Sequence, residues 1–345
     1  MGNIYSLYRM TFPSKSLFSV DQIPDLTGQV TIVTGGNTGI GKETCKASRF
    51  LPCAASISEA DQFKVLLLKN AKVYLAARSK ARADEAIQWL ERETNGKSPI
   101  FLELDLANLD SVREAAEEFM SKEKELHILF NNAGVLEPPV ELRTVDGYDL
   151  QFGTNTLGHY FFTSLLLTTL IHTARNSPVA GGHARVVTTS SMAAFAIWKG
   201  SIVWETLGTD MASQKACKKA GTRFLYCQSK LGNVLFSNEL AKRYEEQGIV
   251  ACSVHPGVIQ SELFRYVPRL FAKAVALIVY PASQGALTQL WAGTMPEGLE
   301  HNGKASGYLG FNIPWAQVGV MPPGARDGKV AEKLWTWLEE QVKGH

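Results

Sequence analysis

The chain has 345 residues, 45% hydrophobic and 20% charged, which suits a globular protein with a sizeable core. A net charge of +2 and no run of Lys or Arg argue against nucleic acid as a partner. Five cysteines, an odd number with no C-x-x-C pair, give neither a disulfide framework nor a metal site. A reducing, intracellular and cytoplasmic setting is therefore expected.

Residues 1–27 read as an N-terminal arm in front of one domain, 28–345. The arm has no apolar stretch resembling a secretory signal. It opens Met1-Gly2-Asn3-Ile4-Tyr5-Ser6, which fits the myristoylation pattern and equally an untethered arm. One acyl chain anchors only marginally, so at most a weak peripheral membrane contact is expected. The longest apolar run near the C-terminus, Ala274 to Tyr280, is too short to span a bilayer.

Beyond the arm, β-branched runs predict six strands: Val30–Thr34, Val73–Ala77, Ile100–Leu104, Leu126–Phe130, Arg185–Thr189 and Val250–Val254. Helical patterns lie between them, among them Val112, Ala115, Ala116 and Phe119. Strands alternating with helices predict a single doubly wound α/β domain of Rossmann type with a mainly parallel sheet. Leu334, Leu338 and Val342 form a stripe on the last helix that reads as core packing.

One stretch fits badly. The position that reads cofactor charge lies about 20 residues past the glycines in a compact dinucleotide unit, but Arg78 is 37 residues after Gly41. The excess falls at about 48–65, where Pro52 should break the helix begun at Gly41 and the pattern resumes at Leu66. A surface excursion and a segment foreign to the fold both account for it.

Thr34-Gly35-Gly36-Asn37-Thr38-Gly39-Ile40-Gly41 follows a strand and opens a helix. Glycines let the backbone turn and approach a pyrophosphate, and the helix N-terminus offers free N–H groups to it. Arg78 ends the second strand where an acid would bind the ribose hydroxyls of NAD; an arginine suits the 2′-phosphate of NADP. NADP(H) is thus expected in preference to NAD(H). Asp105, with Leu106 after it, closes the third strand and is placed to accept from the adenine amino group. Asn132, Ala133 and Gly134 follow the fourth, with small residues leaving room for an adenosine.

Tyr226 and Lys230 stand at i and i+4 and share a helix face. A free phenol titrates near 10; an adjacent ammonium favours the phenolate and makes it a usable acid/base. Ser190-Ser191 ends the fifth strand, where a hydroxyl is placed to bind a substrate oxygen. Asn155 is a candidate to hold a water near the lysine, or simply a capping amide.

In this order TGGNTGIG, NNAG, Asn155, TSS, YCQSK and HPG resemble the short-chain dehydrogenase/reductase family over roughly residues 27–320. The Ala77-Arg78 pair and the long Ser191-to-Tyr226 spacing resemble its retinol-dehydrogenase-like and WW-domain oxidoreductase-like branch. The resemblance implies that Tyr226 exchanges the proton, Lys230 lowers its pKa and holds the ribose, Ser191 orients the substrate, and Asn155 assists. It further implies that Pro256, Gly257 and Ile259 of the HPG segment meet the nicotinamide carboxamide.

Segments 192–222 and 262–282 are expected to form substrate loops, carrying Phe195, Ile197, Trp198, Trp204, Phe264 and others. Their composition points to a small apolar alcohol or carbonyl substrate. The oligomeric state stays open. So do two other readings: a nucleotide-binding protein without turnover, and an inactive product of the 48–65 stretch.

Overall fold

Runs such as Val30-Thr31-Ile32-Val33-Thr34 bury every residue, as expected for strands covered on both faces. The computed structural model describes residues 8–35, 57–197, 202–259, 280, 282–302 and 310–345. In chain order the strands are β1 (Val30–Thr34), β2 (Lys72–Ala77), β3 (Ile100–Glu103), β4 (Ile128–Asn131), β5 (Ala184–Thr189), β6 (Ile249–Val254), β7 (Gly310–Ile313) and β8 (Gln317–Val318). They form one sheet in the order β3-β2-β1-β4-β5-β6-β7-β8. All neighbours are parallel except β7 and β8, which are antiparallel. The strand order reverses between β1 and β4, and a doubly wound sheet binds its ligand outside the carboxyl ends at such a switch point.

The main helices are α1 (Ile57–Leu68), α2 (Lys80–Glu93), α3 (Leu109–Lys122), α4 (His159–Asn176), α5 (Met211–Ala220), α6 (Thr222–Tyr244), α7 (Ala282–Thr294), α8 (Pro296–Asn302) and α9 (Gly328–Gln341). They give the sheet two cores. Ile32 of β1 joins a core with α3, α4, α6 and α9; Val33, pointing the other way, joins one with α1, α2 and α7. Helix starts are set locally: Asn108 caps α3 by accepting from the Asp110 N–H, and Asp327 caps α9 through the Lys329 N–H.

The six expected strands are present, with ends moved by a residue or two. β7 and β8 were not expected, because Gly310-Phe311-Asn312-Ile313 carries a glycine and an asparagine and too few β-branched residues to stand out. The stripe on α9 is core at Leu334 and Leu338, while Val342 lies just past the helix end. Trp335 stacks near Phe236 and meets Tyr160 edge-on, so α9 closes the face of α4 and α6.

Three expectations need correction. The misfit stretch is not a surface excursion over Ile57–Val65: α1 begins there, nine residues ahead of Leu66, and Phe63 is fully buried against α7 and β2. Its bulky apolar side chain competes successfully for core, although neighbouring Gln62 is buried with its amide nitrogen unpartnered. Residues 48–56, with Pro52, lie outside the described residues. Second, 192–222 is not a simple loop. It holds the whole of α5, and Phe195 and Ile197 pack into the core, Phe195 edge-on to Phe311. Trp198 and residues 262–279 lie outside the described residues. Third, the arm from residue 8 is docked: Met10, Phe18, Ile23 and Leu26 are buried, and the Leu26 N–H donates to the Lys69 carbonyl at 2.7 Å.

Gly293 lets α7 sit on β4. A Cβ there would lie 2.6 Å from Cε1 of Phe130, a ring held rigidly in the sheet core. Alanine normally favours a helix, but overpacking outweighs that here. Gly293→Ala is expected to lose about 1–3 kcal/mol of stability, and an unchanged denaturant midpoint would contradict it.

Candidate active site

At the carboxyl end of β1, Gly35 has φ +83° and a Cβ there would come within 3.0 Å of the Ala133 Cα. The turns after β1 and β4 therefore touch backbone to backbone, and only glycine fits. Asn37, Thr38, Gly39, Ile40 and Gly41 lie outside the described residues. Arg78 extends from the end of β2 with its side chain 63% exposed, 3.9 Å from the Asp105 carboxylate. The other Asp105 oxygen accepts from the Ala107 N–H at 3.0 Å, and Leu106 is buried between them. Asn132 donates its amide to the Thr34 carbonyl and accepts from Gln289 Nε2 at 2.8 Å. Gly134 is tightly packed: a Cβ would sit 3.2 Å from Asn155 Oδ1 and 3.4 Å from Lys230 Nζ.

The four residues expected to act together are gathered at the edge of β5. Ser191 follows β5; its hydroxyl accepts from the Ala193 N–H at 3.2 Å and lies close enough to the Tyr226 phenol to draw its pKa down. Tyr226 is half-buried on α6. Lys230, one turn on and 4% exposed, donates to the Thr189 carbonyl at 3.0 Å, with its Nζ 5.9 Å from the Tyr226 ring centre.

The electrostatics differ from expectation. Burial pushes the Tyr226 phenol above its ordinary range, and the Ser191 hydrogen bond pulls the other way. Lys230 was expected to lower the phenol. Instead its ammonium is directed at a carbonyl, and burial lowers its own pKa to about 8.

Asn155 lies in a π-helical segment, Gly153–Gly158, that leads into α4. Such segments are rare and often sit at functional sites. Its Oδ1 accepts from the Val135 N–H at 2.8 Å, and its Nδ2 donates to the Val135 carbonyl and to the Ser229 hydroxyl, both at 3.0 Å. In this arrangement the amide braces the turn after Gly134 against the helix carrying Tyr226.

Several contributors carried no sequence signal. Thr34 ends β1 inside the glycine motif yet accepts from both the Asn132 and Ala133 N–H groups, at 2.9 and 3.1 Å. Gln289 reaches from α7 to Asn132 and to the Thr189 hydroxyl. Glu137 takes a left-handed φ of +46°, its N–H held by Gln151 at 2.9 Å. In the HPG segment Pro256 is half-buried, Gly257 has φ +97° against Trp315, and Ile259 bridges to Tyr280.

Together these parts suit an anionic ligand lying along the carboxyl ends of the strands. Glycines at 35 and 134 let it approach the backbone, Arg78 offers an accessible cation, and a hydroxyl, a phenol and an ammonium converge beyond. A family model described as short chain dehydrogenase matches residues 60–206. A protein of Armillaria gallica named short-chain dehydrogenase/reductase is 48% identical over 346 residues, covering 100% of both chains. Human retinol dehydrogenase 12 is 36% identical, covering 97% of this chain and 94% of its own. The crystal structure of an uncharacterised protein from Mycobacterium paratuberculosis superposes with a TM-score of 0.66 at 26% identity, covering 95% and 98%.

Proposed function

The chain belongs to the short-chain dehydrogenase/reductase family of oxidoreductases, and from that premise we propose that it interconverts an apolar alcohol and its aldehyde or ketone with NADP(H). The observation that carries this reading is the gathering of the Tyr226 phenol, the Ser191 hydroxyl that draws its pKa down and the buried ammonium of Lys230 at the edge of β5.

Residues of the glycine-rich turn, Arg78, Asp105, the Asn132–Gly134 turn and the Pro256–Ile259 segment would hold the dinucleotide. Bound there, its nicotinamide supplies the hydride donor or acceptor. In reduction, the Tyr226 phenol delivers its proton to the substrate oxygen, while the Ser191 hydroxyl donates a second hydrogen bond to that oxygen and stabilises the charge developing on it. Lys230, held by the Thr189 carbonyl one helical turn from Tyr226, brings a positive charge to the cleft where the dinucleotide would lie. The raised phenol pKa suits this direction, since the proton stays on Tyr226 until a substrate oxygen needs it. Asn155 contributes by holding the Val135 turn in place. Half-buried Val135, Leu136 and Met192 on the segments bearing the site support an apolar substrate.

NADP(H) over NAD(H) rests on Arg78, whose neighbour Asp105 forms only a long, exposed ion pair with it. Arg78→Ala is expected to weaken NADPH binding by about 10–100-fold, the equivalent of a lost charge-assisted contact. NADH affinity should change little. Equal losses for both dinucleotides in a fluorescence titration would remove Arg78 from this role. The function is tested by NADPH oxidation over a panel of medium-chain and aromatic aldehydes and ketones. NADPH binding without turnover on any of them would instead favour a nucleotide-binding protein without catalysis.

A further inference from the structure

His159 is the first residue of α4, has no exposed surface, and lies in none of the motifs above. Its two ring nitrogens bond to different parts of the site. Nδ1 is 2.9 Å from the Asn155 carbonyl, which can only accept, so Nδ1 carries the proton. Nε2 is then bare and accepts from the Thr34 hydroxyl at 2.8 Å. The alternative acceptor for that hydroxyl, the Phe130 carbonyl, is farther at 3.3 Å. With its proton turned to His159, the Thr34 oxygen keeps both lone pairs for the Asn132 and Ala133 N–H groups.

The ring must be uncharged for this pattern, and burial, with the nearby Lys230 charge, lowers its pKa to about 4. One buried imidazole therefore touches two structures at once. On the Nε2 side are the β1 turn and the Asn132–Ala133 turn, which meet at Gly35 with no room to spare. On the Nδ1 side is the π-helical segment, whose Asn155 side chain clamps Val135 and the Ser229 hydroxyl on the helix of Tyr226 and Lys230.

We propose that His159 is a positioning residue that ties the dinucleotide-binding turns to the segment bracing the proton-transfer group, one ring nitrogen serving each. The cofactor half rests on the functional reading above; the hydrogen-bond half does not.

Two conservative variants separate the nitrogens. In His159→Gln the side chain reaches the Nε2 position and offers a carbonyl to Thr34 but loses the bond to Asn155. In His159→Asn it stops at the Nδ1 position, keeping a donor for the Asn155 carbonyl and losing Thr34. With the full-length chain, His159→Asn is expected to raise the NADPH Kd about fivefold to tenfold and leave kcat within about twofold at saturating NADPH. His159→Gln should do the reverse, lowering kcat on the best aldehyde of the panel by a similar factor with little change in Kd.

Amide hydrogen exchange in the cofactor-free protein gives a readout independent of binding and turnover. The Asn132 and Ala133 amides should exchange faster in His159→Asn, and the Val135 amide faster in His159→Gln. Both variants losing affinity, kcat and protection together, in step with a lowered Tm, would overturn the proposal and leave His159 a core residue. If the wild-type chain bound neither NADPH nor NADH, the oxidoreductase reading would fail, while the exchange pattern would still decide what His159 holds.

Discussion

Replacing Tyr226 with phenylalanine should lower the turnover of the best carbonyl substrate by about 10³-fold, within the range for loss of a positioned general acid. The ring is half-buried, so the deletion removes one hydroxyl and keeps the packing. Dinucleotide binding should stay within about threefold, since a single neutral hydrogen bond is worth about 1 kcal/mol. Steady-state kinetics at saturating NADPH, with a parallel binding titration, measure both. A loss below tenfold would mean that another group, or water, delivers the proton.

Lys230→Met should separate activity from stability. The lysine is 4% exposed, and burial lowers its pKa to about 8 from an ordinary 10.5. The sign follows from which state prefers the proton. The unfolded chain holds it more tightly, so the buried charge works against the fold at pH below about 8. The penalty, about 3 kcal/mol in full, shrinks as pH rises from 8 to 10.5 and is absent above. Methionine keeps the volume and removes the charge. No acceptor is orphaned, because the Thr189 carbonyl still receives the Asn233 amide at 2.9 Å. Turnover is expected to fall by about 10²–10³-fold, while Tm at pH 7 stays the same or rises and the advantage fades toward pH 10. A clear fall in Tm at pH 7 would show that the ammonium holds the fold together as well.

Much of this architecture was legible because strand runs and glycine turns are local signals. Val30–Thr34 and Arg185–Thr189 read as strands from their β-branched residues, and Tyr226 with Lys230 read as a pair from helical spacing alone. What escaped depends on contacts between distant parts of the chain. His159 looks like any residue in Leu157-Gly158-His159-Tyr160; its importance comes from meeting Thr34, 125 positions away. Gln289 meets Asn132 across 157 positions. The phenol's electrostatics were misjudged for the same reason: spacing puts Lys230 beside Tyr226 but does not reveal the Thr189 carbonyl that claims its ammonium. Within the 48–65 stretch, only the part from Ile57 departs from a surface excursion: the proline ahead of it masks, in the sequence, that Phe63 is a good core residue.

The closure of α4 and α6 by α9 sets an order of events during synthesis. Tyr160 and Phe236 find Trp335 only after some 175 and 99 further residues have been made. A chain emerging from the ribosome can pair β1 to β6 and then close the core of α1 and α2 with α7, yet it carries an open aromatic face until α9 follows. Such a face is where a nascent chain attracts chaperones or aggregates. A stop codon ahead of Gly328 would leave every described strand and every proposed catalytic group in the product and still yield a protein expected not to stay in solution.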